Sequence, residues 1–342
     1  EDVAEEVARV IGYDSIPTKG LSGEVPSAEP QPRPELRDRL RDALVAAGMQ
    51  EVITYSLTTL DALRRVMAPE ELATYPPLRV VNPKSAEHEY LRPVLRASLL
   101  QTVAANVRQH EGELALFEAS RVYLPEPEGP PHEQEHVVGA VTGRREDRWG
   151  GASGEPVDFY DAKGYVEAGL RSIDVAPSFL EAATYGFVPG RAADVLVDGR
   201  KVGIVGHVHP SVAAEFDIDQ DVYLFELIVD ELLPSVGAVR RHDPVSRFPP
   251  VVQDVALLVA QEVSADSVSA LIEDHELVRR ARLFDVYEGE RIPPDKKSLA
   301  FSVTYQSPDH TLTDEEVARA QRAILERLGR ELNAELRGGA AG

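Results

Sequence analysis

Two residues with complementary recognition chemistry, Asp285 and Tyr287, alternate along one segment near the carboxyl end of the chain. Residues two apart on a β-strand point to the same face, so both side chains would meet the same ligand. A tyrosine ring stacks on a nucleobase with about 1–3 kcal/mol, and a carboxylate accepts hydrogen bonds from a base edge. The pair therefore suits an unpaired base. The alternative for an isolated pair is a packed tyrosine and an aspartate that caps a turn.

A second group of residues that could do chemistry is a cluster of carboxylates at the start of the sequence. Asp2, Glu5 and Glu6 have the spacing i, i+3, i+4, so their carboxylates reach one side of a helix. Clustered carboxylates without partners suit a hard cation such as Mg²⁺. The alternative is an ordinary acidic first turn, which the helix dipole favours.

Several histidines raise the question of a transition-metal site. His207 and His209 alternate, so both could face one side of a strand and bind a metal ion. The sequence offers no evident third ligand, and we interpret both as structural. His132 and His136 lie in a Glu-rich loop, and we expect them to face solvent.

The charge balance is strongly acidic. The 342 residues include 36 Lys and Arg against 58 Asp and Glu, a net charge of −22. Taken alone, the net charge argues against nucleic acid as a partner, because phosphate binding needs local positive charge. The acidity is uneven, since 14 basic and 18 acidic residues give only −4 for positions 240–342. Cysteine is absent, so no disulfide or cysteine metal site forms, and we expect a cytoplasmic protein without membrane segments.

The elements that must position these residues follow an α+β pattern. We predict helices over residues 1–11, 35–47, 95–109 and 161–173. We predict strands over residues 51–57, 78–81, 114–123, 137–143, 193–197, 201–207 and 222–228. Residues 19–34 are rich in Pro, Gly and Ser and are predicted to be a linker. The sequence has no initiator Met, and we expect residues 1–18 to be the end of a truncated upstream domain.

The last hundred residues have a different element order. Strands are predicted at 251–259, 278–286, 299–305 and 335–337, with helices at 264–275 and 314–332. Thr313 and Glu316 form the spacing of a capping box at the start of the second helix. The order β-α-β-β-α-β predicts a ferredoxin-like domain over residues 239–342.

Four motifs in this tail resemble the ferredoxin-fold anticodon-binding domain of bacterial phenylalanyl-tRNA synthetase β subunits. They are SRFPPVVQDVAL at 246–257, LFDVYEG at 283–289, KKSLAF at 296–301 and TLTDEEV at 311–317. They stand in the family's order and end in Leu336-Arg337-Gly338. Within them, the resemblance implies that Ala256, Asp285, Tyr287 and Ser298 contact the anticodon. Arg247, Lys296 and Lys297 are the expected phosphate contacts.

The upstream region resembles the catalytic-like module of the same subunits. Its motifs are NPKS at 82–85, LFE at 116–118, DFYDAKG at 158–164, PGR at 189–191 and GHVHP at 206–210. Two positions depart from the family: Val188 stands where His is usual, and Ala119-Ser120 stands where Gly is usual. The resemblance implies a degenerate class II synthetase-like antiparallel sheet module, flanked by helices, over residues 35–238.

The resemblance also implies partners and cofactors. An α subunit would complete an α2β2 heterotetramer that attaches phenylalanine to tRNA-Phe with ATP. Asp2, Glu5 and Glu6 would supply Mg²⁺ ligands near the α subunit, with a further ligand upstream. We expect adenylation on the α subunit, because no Gly-x-Gly-x-Glu-Arg or phosphate-loop motif occurs here. The Glu118–Arg121 pair is expected to be structural.

Two other interpretations remain open on the sequence. One is a stand-alone RNA-binding or regulatory module on a ferredoxin-like scaffold, since that fold serves many functions. The upstream motifs argue against it, because a regulatory domain has no reason to carry them. The other is a structural paralogue that assembles without touching RNA.

Overall fold

A mixed β-sheet of seven strands is the centre of the first part of the described chain. The structure, a computed structural model, describes residues 1–20, 22–23, 31–109, 113–145, 154–237, 246–289 and 292–337. The chain divides into two units, Glu1–Val239 and Arg240–Gly342. The predicted boundary at 238 and 239 and half of the predicted linker (residues 21 and 24–30) lie outside the described residues. The linker prediction was wrong at its end, because residues 32–34 are already helical.

The first unit contains nine described strands. They are β1 (Gln50–Glu51), β2 (Leu57–Thr58), β3 (Tyr90–Leu91), β4 (Leu114–Leu124), β5 (His132–Thr142), β6 (Ser178–Glu181), β7 (Phe187–Val197), β8 (Arg200–Val208) and β9 (Val222–Ile228). The large sheet has the order β1-β4-β5-β9-β8-β7-β6, and β2 pairs with β3 separately. The β1–β4 pair is parallel and the other pairs are antiparallel.

Helices cover both faces of this sheet. The described α-helices of the first unit are α1 (Asp2–Ile11), α2 (Pro32–Ala46), α3 (Leu60–Val66), α4 (Pro69–Thr74), α5 (Arg96–Val107), α6 (Phe159–Ser172), α7 (Pro210–Glu215) and α8 (Val229–Leu232). Helix α1 buries none of its residues and is not part of this covering. Neighbouring strand residues point to opposite faces, so Leu116 joins one core with α3, α5 and α7, while Phe117 joins another with α2, α6 and α8. The two apolar layers give the α+β module predicted from the sequence.

The second unit is ferredoxin-like, as predicted. Its elements are β10 (Val251–Ala260), α9 (Ala265–Glu273), β11 (Val278–Tyr287), β12 (Lys296–Tyr305), α10 (Asp314–Leu332) and β13 (Glu335–Leu336). The sheet order is β11-β12-β10-β13, and every pair is antiparallel. Val268 and Ile272 of α9 and Ile324 of α10 pack against Leu257 and Phe301 of the sheet. One face of the sheet is thereby closed by helices.

The long helix α10 begins and ends as its sequence requires. Thr313 accepts a hydrogen bond from the Glu316 backbone, and the Glu316 side chain accepts from the Thr313 backbone, which confirms the predicted capping box. Asn333 ends the helix in the left-handed region with φ 49°. These caps hold the chain that leads into β13.

Two strand predictions in the first unit were wrong. Residues 51–57 form strand only at their ends, in β1 and β2, and 78–81 contribute a single bridge from Arg79 to Tyr90. Both runs carry β-favouring residues, but Ile53 is 89% exposed and Val81 is 91% exposed. Because propensity forms a strand only where a neighbour pairs and buries it, these segments stay irregular. Strand β6 and the short helices α3, α4, α7 and α8 were not predicted.

No helix among the described residues is long and apolar enough to span a bilayer.

Candidate nucleic-acid interface

The four predicted base contacts lie on the open face of the second unit's sheet. Residues that pair directly across antiparallel strands point to the same face. Ala300 pairs with both Asp285 and Ala256, and Ser298 in the next row pairs with Tyr287. The three strands therefore bring all four predicted side chains into two adjacent rows, on the face opposite the helices.

The side chains of these two rows form a small platform with polar groups at its edges. Tyr287 is half-buried, Asp285 is exposed and Ser298 is only 2% exposed. Between the larger side chains, Ala256 and Ala300 contribute only methyl groups; Ala256 is half-buried and Ala300 is buried. A flat base can stack on the ring while its edge bonds to the carboxylate.

Arg337 completes the platform, and the sequence interpretation assigned it no role. Its guanidinium carbon lies 5.0 Å from the centroid of the Tyr287 ring, and Nη1 donates to Ser298 Oγ at 3.1 Å. Its backbone N donates to the carbonyl of Ala256 at 2.8 Å. One residue thus contacts three of the four predicted positions. Its place in a motif was visible in the sequence, but only the pairing of β13 with β10 shows where its side chain lies.

The predicted phosphate contacts are distributed differently. Lys296 forms an ion pair with Glu335 at 2.8 Å. Lys297 pairs with the buried Val259 and so points to the helix-covered face, away from Ser298. Arg247 is exposed and precedes β10 at the end of the sheet remote from Tyr287. The structure does not gather these three cations around the base platform.

The predicted magnesium ligands are not assembled into a site in the described part of the chain. Asp2 and Glu5 lie in the first turn of α1, whereas Glu6 is held by Arg9 at 2.6 Å. No group of three or more His, Cys, Asp or Glu residues that could hold a metal ion occurs among the described residues. The predicted set includes a further ligand beyond these three, so magnesium binding by Asp2, Glu5 and Glu6 stays a prediction.

The expected Glu118–Arg121 pair does not form, because each residue binds elsewhere. Glu118 forms an ion pair with Arg92 at 2.9 Å, and both side chains are 1% exposed. Arg121 pairs with Glu135 and Glu133, and these bonds raise the pKa of Arg121. Both interactions tie strands and loops together, which agrees with the structural role expected for the two residues.

The histidines also serve structure, with one correction. His207 contacts Asp221 at 3.1 Å and stacks on Tyr223, and His209 caps α7 by accepting from the Ser211 backbone. The prediction that His136 faces solvent was wrong, because the residue is 7% exposed and lies in strand β5. The Glu-rich sequence around His136 predicted a loop, but the segment forms the inner strand β5. His132 is exposed, as expected.

Glu226 is the buried acidic partner of His136. Burial disfavours the charged carboxylate, but a hydrogen bond from His136 and the positive charge of Arg96 outweigh burial and hold the pKa of Glu226 at about 2. The carboxylate lies 2.9 Å from His136 Nδ1 and 3.0 Å from Arg96 Nε. The Arg96 contact is an ion pair without hydrogen-bond geometry at Nε. This buried cluster joins α5 to β5 and β9.

Comparison with known proteins identifies both units. Residues 16–229 match the family model described as the phenylalanyl tRNA synthetase beta chain CLM domain, and residues 246–337 match the ferredoxin-fold anticodon binding domain. A phenylalanine–tRNA ligase beta subunit from Dehalococcoides mccartyi is 36% identical over 336 residues, 98% of this chain and 41% of that protein. The corresponding subunit from Geobacillus kaustophilus is 38% identical, over 99% of this chain and 42% of that protein.

The chain spans about two fifths of the length of these curated relatives. A solved pyrrolysyl tRNA synthetase from Desulfitobacterium hafniense has a TM-score of 0.45 and 18% identity, over 58% of this chain and 66% of that one. That structural likeness is too weak to support a conclusion, whereas the two family matches together cover most of the sequence. The chain therefore belongs to the phenylalanyl-tRNA synthetase beta chain family.

Proposed function

We propose that this chain binds the anticodon of tRNA-Phe on the open face of its ferredoxin-like sheet. The observation that carries the proposal is the gathering of Ala256, Asp285, Tyr287 and Ser298 in two neighbouring rows. Single-stranded RNA is recognised by aromatic stacking together with hydrogen bonds to base edges, and this face offers both. Arg337 adds a planar cation that already stacks on Tyr287.

The acidity of the chain shapes how this recognition works. The net charge of −22 leaves little long-range attraction for a polyanion. Binding therefore depends on short-range contacts, with the base stacked on Tyr287 and its edge bonded to Asp285. Arg337 can move from the ring or remain as the second side of a sandwich around the base.

The first unit, in this proposal, is a scaffold that contacts an α subunit in an α2β2 assembly in the cytoplasm. The assembly attaches phenylalanine to tRNA-Phe with ATP and Mg²⁺, and adenylation occurs on the α subunit. The name of these relatives, phenylalanine–tRNA ligase beta subunit, supports the ligase reaction and a second kind of subunit. A stand-alone regulatory module is not favoured, because the match over residues 16–229 belongs to a synthetase beta chain.

Replacing Tyr287 with alanine tests the proposal. Loss of a base stack worth about 1–3 kcal/mol weakens binding of tRNA-Phe by roughly 5- to 150-fold. Tyr287→Phe is the matched control, because it keeps the ring and removes only the hydroxyl, and it should bind like the unchanged chain. Filter binding of a tRNA-Phe transcript measures both, using the chain alone and combined with the α subunit. Equal binding by Tyr287→Ala and the unchanged chain would show that the site is assigned wrongly.

A further inference from the structure

An extra residue in strand β11 changes which side chains share the base-binding face. Leu283 pairs with Phe301, yet Asp285 pairs with Ala300, so two steps along β11 correspond to one step along β12. Phe284 is the additional residue of this bulge. A bulge of one residue reverses the in-and-out alternation for everything beyond it.

The bulge brings two arginines to the open face. Arg280 pairs with Thr304 and Arg282 pairs with Ser302, while Asp285 and Tyr287 pair with Ala300 and Ser298. The four partners on β12 are the consecutive even-numbered residues, so all of them point to one face. Without the bulge, Arg282 and Asp285, three residues apart, would lie on opposite faces.

Arg280 and Arg282 therefore extend the platform along the edge strand. Residues on one face of a strand follow each other at about 6.8 Å, so the column from Arg280 to Tyr287 is roughly 20 Å long. Bases bind at the Tyr287 end, and the arginines follow in line at the other end. This arrangement matches a nucleic-acid strand whose bases are read at one point and whose backbone continues past it.

The two guanidinium groups are available for a ligand. Both side chains are exposed, and neither forms an ion pair with any described residue. The acidic residue in the row of Arg282 is Asp254, which also pairs with Ser302 and so lies two strands away, at about 9–10 Å. Lys296, by contrast, is already neutralised by Glu335.

We propose that Arg280 and Arg282 bind phosphates of the same RNA strand whose bases lie over Tyr287 and Asp285. The inference rests on the proposed function and adds two cations on the face that carries Tyr287 to the three predicted ones, which are not gathered around the base platform. Arginine suits this role, because its planar guanidinium donates two parallel hydrogen bonds to phosphate oxygens. The open face thus has a base-reading end and a phosphate-binding end.

The salt dependence of binding tests this inference. Arg280→Gln/Arg282→Gln removes two charges from exposed positions, and Arg319→Gln/Arg322→Gln removes two from exposed positions on α10, which lies on the other side of the sheet. Binding of a tRNA-Phe transcript is measured at several KCl concentrations, with the chain alone and with the α subunit. Each phosphate contact to single-stranded RNA contributes about 0.7 to the slope of log K against log salt. The first variant should therefore lose roughly 1.4 from the slope, and the control should lose none.

The outcomes separate this inference from the proposed function. Tyr287→Ala should weaken binding without altering the slope. A normal slope in Arg280→Gln/Arg282→Gln, together with weak binding by Tyr287→Ala, overturns the phosphate track and leaves the base site standing. An equal loss of slope in the α10 control also overturns it, because the effect would be one of total charge. No binding by the unchanged chain in either form overturns the proposed function, and the inference with it.

Discussion

The buried carboxylate of Glu226 gives the sharpest quantitative prediction about the scaffold. Its pKa is held at about 2 against a usual 4.5, because His136 and Arg96 more than offset the cost of burial. A difference of this size corresponds to roughly 3 kcal/mol of folding free energy. Glu226→Gln keeps the shape but leaves Arg96 beside a neutral group. We expect the variant to be less stable by about 3 kcal/mol at neutral pH, the range seen when a buried pair is broken.

The pH dependence follows from the sign of the shift. A carboxylate whose folded pKa is depressed stabilises the fold above its unfolded pKa, and this contribution is lost as pH falls from 4.5 towards 2. Glutamine does not titrate, so the stability gap between the two proteins should narrow in acid. At about pH 3.5 the gap should be smaller by roughly 1 kcal/mol than at neutral pH.

Urea-induced unfolding, followed by far-ultraviolet circular dichroism at several pH values, measures this gap. Glu128→Gln is the matched control, because Glu128 is exposed in the loop between β4 and β5 and should change stability little. A Glu226→Gln protein within about 0.5 kcal/mol of the unchanged chain at neutral pH would refute the reasoning. A gap that stays constant into acid would refute the assigned pKa.

Two further predictions concern packing and capping. Gly139→Ala should destabilise the first unit by about 1–3 kcal/mol, because the added Cβ would lie 2.3 Å from the buried Phe225 ring. Gly164→Ala in α6 is the control, since the added Cβ meets nothing within 4 Å and alanine should stabilise the helix by up to about 1 kcal/mol. Urea unfolding compares the two variants, and equal stability of the two would contradict the packing argument. Thr313→Ala should cost the second unit about 1 kcal/mol by removing the bond to the Glu316 backbone. Thr313→Ser should keep the stability of the unchanged chain in the same assay. A Thr313→Ala variant as stable as the unchanged chain would show that the cap adds no stability.

The regular parts of both units could be predicted from local sequence. Helix α10 has the predicted bounds and cap, and β9 has the predicted bounds, because periodicity, capping residues and β-branched runs are local signals. Residues 51–57 and 78–81 show the limit of this reasoning. Their composition favours strand, but a strand also needs a partner, and pairing is decided by distant parts of the chain.

The same division holds for the candidate site. The motif resemblance named Ala256, Asp285, Tyr287 and Ser298 as candidate contacts, and the alternation of 285 with 287 needs only strand geometry. The sequence did not predict that Arg337 lies over Tyr287, because that contact depends on β13 pairing with β10.

Tertiary structure alone decided the remaining features. The bulge at Phe284 puts Arg282 on the face of Asp285, although their odd spacing predicts opposite faces. The Glu226–His136 contact joins residues 90 apart in the chain. A bulge depends on the register between two strands, and a buried ion pair depends on which segments pack together. Local sequence encodes propensity and periodicity, but register and burial are set only when the whole sheet assembles.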